Sequence, residues 1–331
     1  MTLGFPSSRL PVLALVFGVA ACGDCSSSSR QEGGRASQKA DTLTVAELDV
    51  PVHALVASRD ALYGLGRWSG VVFSVALSGE AGGSVRKLST SEREPFAIVA
   101  RAGSPVWASR EGVFTCEPDG RERRALFESD AVVALTASPH GIVFSDASAI
   151  WRIEWPQAAK PIRLVDGVDA EEVVATDETL VWIERSPGSV RALDLKSGAQ
   201  RQLASRGRKG HDLSLSNDGH SVVWHDGEAD LLPGRDPRAF WADTLTGAVR
   251  ELPGSYESSK NYLLRGACVF GPAMCKHSAL VDWTRLDTGE GVAPVADDAR
   301  SFFWVAPAPA PGGSSPNRWR ILSAPKDACC H

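Results

Sequence analysis

No stretch of this chain is long enough to cross a bilayer as a helix. Its one candidate, the apolar run Leu10 to Val19, stops well short of the ~20 residues that a span requires. Positive charge is not in excess either. Lys and Arg number 35 against 40 Asp and Glu, a formal net charge of −5, so a basic nucleic-acid-binding face is not expected. No segment sustains a helical apolar period, which excludes αβ repeats. Also missing are a Gly-x-Ser-x-Gly elbow, a His-Glu-x-x-His helix, a phosphate-binding loop and a paired Cys-x-x-Cys zinc framework, so the chain lacks those local signatures of catalysis and metal binding. The rest, 43% hydrophobic and 23% charged residues, is the composition of a globular domain and excludes disorder of the whole chain.

What is present is a repeat. The stretch Glu171 to Leu203, EEVVATDETLVWIERSPGSVRALDLKSGAQRQL, holds four short β-rich runs separated by Asp177-Glu178, Ser186-Pro187-Gly188 and Lys196-Ser197-Gly198. Its second run carries the pair Val181-Trp182. A bulky or aromatic pair recurs at Leu62-Tyr63, Val106-Trp107, Val143-Phe144, Val223-Trp224, Val269-Phe270 and Phe303-Trp304, at spacings of 44, 37, 38, 42, 46 and 34 residues along the chain. A lone sheet of this size cannot bury both faces, so repeats of about 40 residues predict an all-β fold: a β-propeller of four-stranded blades. Seven blades are expected, with six as the alternative. The seventh repeat is irregular, because between Asp287 and Phe303 there is room for one strand where two are expected, and after Arg320 the chain runs out. The orphan strand Thr42 to Val50 is expected to complete that last blade from the N-terminal side, since an unclosed ring leaves a free sheet edge. The paired aromatics are expected to be core between blades. The turns Asp194 to Gly198 and Asp243 to Gly247 use Asp and Ser or Thr to bond the local backbone and Gly for a positive φ.

The N-terminus reads as an export leader over residues 1–21: one basic residue, Arg9, the apolar run, then Ala20 and Ala21 before Cys22. The four residues Val19-Ala20-Ala21-Cys22 resemble the lipobox of bacterial lipoproteins. That resemblance implies lipidation of Cys22, which becomes the first residue after cleavage; an ordinary cleaved secretory signal is the alternative. In such lipoproteins an aspartate directly after the cysteine implies inner-membrane retention. Here that place is Gly23 and Asp24 follows it, so a cell-envelope protein of the outer membrane is expected. Residues 22–40 read as a Ser/Gly-rich tether, 41–325 as the propeller and 326–331 as a Cys-rich tail.

Of the seven cysteines, Cys22 is the expected lipid site, and the other six, Cys25, Cys116, Cys268, Cys275, Cys329 and Cys330, are free to form disulfides after export. Cys268 and Cys275 flank Phe270-Gly271-Pro272 and are the expected pair. Cys329 and Cys330 are expected in a disordered tail. Among the histidines only His220 and His225 cluster with acids, and five residues apart on a strand they fall on opposite faces, poorly placed to share one ion. The loop that follows carries Asp226, Glu228, Asp230 and Asp236. It is the candidate ion site, with calcium as the ion, although its spacing is not that of an EF-hand. No other cofactor is expected.

The segments Leu193 to Gly198 and Ala242 to Gly247 resemble part of the repeat in propellers of the quinone-dependent alcohol dehydrogenases and of the outer-membrane assembly lipoprotein sharing their fold. The chain is also loosely similar to TolB-like propellers. Where those repeats carry a docking tryptophan, this chain has Arg201-Gln202-Leu203 and Arg250-Glu251-Leu252, so the resemblance implies blade geometry and neither a quinone nor an active site. The expected function is a lipid-anchored envelope module that binds or scaffolds envelope proteins, peptides or glycans, touching the membrane through its lipid alone. The alternative is a propeller hydrolase or lactonase with a central metal ion, which requires three or more inner-strand Asp, Asn, Glu or His side chains converging near the axis.

Overall fold

The computed structural model describes residues 43–66, 69–77, 83–156, 160–186, 188–204, 210–215, 219–226, 239–251, 264–265, 268–269, 295–297, 301–307 and 318–325. All lie in the compact unit Lys39–His331. Their regular structure is entirely β. After β1 (Leu43–Leu48), the strands β2 (Val52–Ala57), β3 (Ala61–Gly66), β4 (Val72–Ala76) and β5 (Val85–Ser89) form sheet I. Sheet II comprises β6 (Ala97–Arg101), β7 (Ser104–Ser109), β8 (Gly112–Thr115) and β9 (Arg124–Glu128). Sheet III holds β10 (Ala134–Ser138), β11 (Gly141–Ser145), β12 (Ala149–Glu154) and β13 (Ile162–Asp166). Sheet IV holds β14 (Ala170–Ala175), β15 (Thr179–Glu184), β16 (Val190–Asp194) and β17 (Gln200–Ala204). Sheet V holds β18 (Gly210–Leu215), β19 (Ser221–Asp226), β20 (Ala239–Asp243) and β21 (Val249–Glu251). Each is an antiparallel meander, as short runs joined by tight turns dictate. At the sixth position the described residues give a two-stranded sheet VI, β22 (Leu264–Arg265) with β23 (Cys268–Val269). The first strands of successive sheets touch in the order β2, β6, β10, β14, β18, β22. This is a β-propeller.

Sheet VII closes the ring. Its order is β1, β26 (Trp319–Pro325), β25 (Ser301–Pro307), β24 (Val295–Asp297), and β24 lies against β2. The N-terminal strand supplies the outermost position, antiparallel to β26 from Leu43↔Ser323 to Leu48↔Trp319, and buries Ala46 and Leu48. A backbone bond from Gly83 N–H to the Val45 carbonyl ties it to sheet I as well, at 2.8 Å. One expectation is corrected here. The chain does not run out after Arg320: the third strand of the sheet starts at Trp319, beyond the Pro/Gly/Ser-rich stretch 308–317, and the first is Val295–Asp297.

The core is divided among the gaps between neighbouring sheets. Because side chains alternate along a strand, the third and fourth residues of each second strand serve two different gaps. Trp107, Phe144, Trp182 and Trp224, each fourth, pack toward the preceding sheet; Val106, Val143 and Val181, each third, pack toward the following one. The aromatics are core, as expected, and at most 3% exposed. Sheet I departs from this pattern. Its aromatic, Tyr63, is the third residue and therefore faces sheet II, while the fourth place is Gly64. The missing bulk comes from the neighbouring strand: Phe73 pairs with Gly64 across β3 and β4 and lays its ring over it, joining the cluster between sheets VII and I.

The Asp-initiated turns behave as local chemistry. Asp194 Oδ1 accepts the Lys196 and Ser197 N–H groups at 2.9 and 2.8 Å, and Asp243 Oδ1 accepts those of Leu245 and Thr246, both at 2.8 Å. Gly198 and Gly247 follow at φ of 73° and 74°, where a side chain is strained. Backbone bonds from Ser197 and Thr246 hold the two carboxyls below the ordinary aspartate range.

Candidate functional site: a cleft between sheets I and II

The displaced aromatic has a consequence for the gap it enters. Between sheets II and III, or III and IV, a valine on one side meets an aromatic on the other. Between sheets I and II, Tyr63 and Trp107 both project into the same gap. Beside Tyr63 one face of sheet I carries the small side chains Ala61, Ala76 and Ser74, with Arg86 next to them: Ala61 pairs with Ala76, Tyr63 with Ser74, and Ser74 with Arg86. Sheet II offers Gly103 and Pro118 opposite. The result is a cleft of about 290 Å³, at the end of the gap where the β2–β3 and β6–β7 turns lie.

Its floor and rim are polar. Tyr63 is 1% exposed and its hydroxyl donates to the Gly103 carbonyl oxygen, bridging the two sheets. Burial, with the nearby Cys116 and Asp60, pushes the phenol up to about 12, so it stays protonated at neutral pH. Ser74 is buried beside it, while Asp60, Ser84 and Arg86 are exposed at the rim. Cys116 lies in the same cluster as a free thiol, and burial first, then Asp119, Glu117 and Glu92, push it up to about 11. A thiol so poorly ionised is packing and no nucleophile.

An ion pair between a buried carboxylate and a partly exposed guanidinium holds the connection from β5 to β6 against the segment that leads into β9. Glu92, 4% exposed on the connection from β5 to β6, accepts Arg123 Nε at 2.7 Å and Arg123 Nη2 at 3.1 Å, and Ser89 Oγ at 2.7 Å. The Arg123 guanidinium also lies 4.2 Å from the Phe114 ring centroid. These bonds pin the segment 116–123, which carries Pro118, while Gly120 presses against Leu88 with no room for a larger residue to settle freely. Burial pushes the Glu92 carboxyl up, but the bonds from Arg123 and Ser89 outweigh it and hold the carboxyl below its ordinary value; the Trp107 indole adds to that pull without meeting hydrogen-bond geometry. A carboxyl depressed by folding stabilises the protein at pH above its ordinary value, and that stability is lost as pH falls through the folded value. Glu92→Gln is therefore expected to cost about 2 kcal/mol at neutral pH, discounted for the partly exposed Arg123. It should also flatten the loss of stability below about pH 4.5. Urea melts of both forms across acid pH measure this, and parallel profiles would contradict it.

The residues singled out from sequence are placed unevenly. Cys22, Cys25, Cys275, Cys329, Cys330, Glu228, Asp230 and Asp236 lie outside the described residues. Cys268 begins β23 and Asp226 ends β19. The register sets His225 opposite His211, a pairing that linear spacing did not reveal. On the inner strand β14, Glu172 accepts the Leu213 N–H of β18 at 2.8 Å, and Glu171 shares Arg185 with Asp169 at 3.8 and 3.5 Å. Among the described residues, no group of three or more His, Cys, Asp or Glu side chains is placed to hold a metal ion.

No protein-family model and no curated protein matches the sequence. Solved structures do match by shape. A streptogramin B lyase superposes with a TM-score of 0.56 at 10% identity, over 86% of this chain and 96% of its own. The WD40 domain of Neurospora crassa Pan2 gives 0.53 at 11%, over 87% and 97%. The N-terminal domain of Nup159 gives 0.53 at 9%, over 88% and 97%. At such identities the likeness establishes the β-propeller class and nothing of chemistry.

Proposed function

We propose that the chain is an exported lipoprotein of the cell envelope, held at the outer membrane by a lipid on Cys22 and the tether 22–40, whose propeller binds an envelope protein, peptide or glycan in the cleft between sheets I and II. The observation that carries the reading is the cleft. Small side chains, hydroxyls and a pair of opposite charges line one end of a gap whose interior is apolar. Support for the anchor comes from the leader and from β1, which follows the tether and is paired along β26 rather than left as a loose end. A load on the tether then falls on a paired strand.

Cys22→Ser tests the anchor. The variant is expected to leave the membrane fraction or to accumulate with its leader uncleaved, read by fractionation and intact mass. Normal membrane retention of a processed chain would contradict it.

A further inference from the structure

The cleft's chemistry narrows the class of ligand, on the reading that the cleft is the recognition site. Its side chains offer hydroxyls from Ser58, Ser74 and Ser84, the carboxylate of Asp60 and the guanidinium of Arg86. Hydroxyls both donate and accept, a carboxylate accepts and a guanidinium donates, so the set balances donors against acceptors. Among the described residues that line it there is one charge of each sign, so an anion or a cation would meet one like charge there for each unlike one. Among the described residues the floor presents no stacking platform, because Tyr63 is 1% exposed and its hydroxyl is committed to Gly103. A flat heteroaromatic such as a nucleobase therefore gains little here. The space of about 290 Å³ holds roughly ten waters at ~30 Å³ each, enough for one six-membered ring with its substituents and too small for a folded loop. A zwitterion would engage Asp60 and Arg86 at the rim yet leave the buried Ser74 hydroxyl, 7% exposed, without use.

We propose that the cleft binds a single neutral hexopyranose unit, the end or a branch of an envelope glycan, with Asp60 accepting from adjacent sugar hydroxyls, Arg86 donating to a third oxygen, and Ser74 meeting the ring's inner edge. This rests on the preceding reading of the cleft and adds the ligand's class.

The test is calorimetric titration of the full mature chain in detergent with the methyl glycosides of glucose, galactose, mannose and N-acetylglucosamine, and separately with alanine and the dipeptide Ala-Ala. At least one glycoside is expected to bind saturably at millimolar concentration or below, and the zwitterions to show no heat of binding. Asp60→Asn and Ser74→Val should each weaken that glycoside about tenfold or more, through loss of a charge-assisted or buried hydrogen bond. Asp60→Asn, at an exposed position, should leave the melting temperature unchanged. Binding that both variants preserve would overturn the assignment. If the zwitterions bind in place of the glycosides and Asp60→Asn abolishes it, the sugar falls while the cleft stands as a recognition site. If no probe binds and, in the Cys22→Ser chain that lacks the lipid, Asp60→Asn leaves binding to isolated envelopes unaltered, the cleft reading falls with it.

Discussion

Gly64→Ala is expected to destabilise the protein by about 2–3 kcal/mol, at the upper end of the cost of overpacking a core. A Cβ at Gly64 would stand 2.2 Å from Phe73 Cζ, and 2.7 and 2.8 Å from the adjacent ring carbons. A flexible side chain could swing away, but the Phe73 ring is 1% exposed, in a cluster with Leu62, Phe303, Val305 and Ile321, and has no open space to swing into. The gap involved is the one that closes the ring, so the strain falls on sheets I and VII together. Thermal melting should show a drop of about 5–10 °C for a domain of this size. The pair Gly64→Ala with Phe73→Leu should recover part of it, since a smaller side chain removes the clash. An unchanged melting curve for the single variant would mean that Phe73 does not cover Gly64.

Deleting residues 43–48 should cost more. The strand contributes all the pairing on the outer edge of β26 and the buried side chains of Ala46 and Leu48. Burying a leucine is worth about 1.5–3 kcal/mol and each net backbone hydrogen bond roughly 1 kcal/mol, so the loss comes to several kcal/mol. It also bares an edge strand, a template for pairing with another chain. The expected result is a melting temperature lowered by about 10 °C or more, with concentration-dependent association seen by light scattering. A deletion variant that melts like the parent and stays monodisperse would show that the ring does not depend on β1.

Much of this architecture was legible along the chain, because the propeller's period is written in side chains that cannot be anything but core. The pairs Val106-Trp107, Val143-Phe144 and Val181-Trp182 recur since each third and fourth residue must fill the gap on its own side. Ring closure was legible as bookkeeping of strands: one too many at the start, one too few at the end. The register of that closure was not, because the stretch 308–317 has the composition of a terminus and concealed the strand Trp319–Pro325 behind it.

The first repeat misled by a single residue. Leu62-Tyr63 looks like the other pairs, yet it sits one place early on β3, and a shift of one reverses the face of every side chain. The sign was present in Tyr63-Gly64: a glycine where the other second strands hold an aromatic. The cleft lay beyond the reach of linear reading for a related reason. Ala61, Ser74, Ala76 and Gly103 carry no motif, and the space they leave exists only when two sheets are set side by side. The ion pair of Glu92 and Arg123, likewise, is 31 residues apart and belongs to no repeat position, so only the fold brings it together.

The ring is fastened by its own N-terminal strand. Hydrogen exchange read by mass spectrometry on peptides covering 43–48 tests this without altering the molecule. Pairing with β26 predicts that about half of the β1 amides, those directed at that strand, exchange as slowly as the amides of 319–325. Exchange of 43–48 at the rate of an unprotected chain, while 319–325 stays protected, would contradict it.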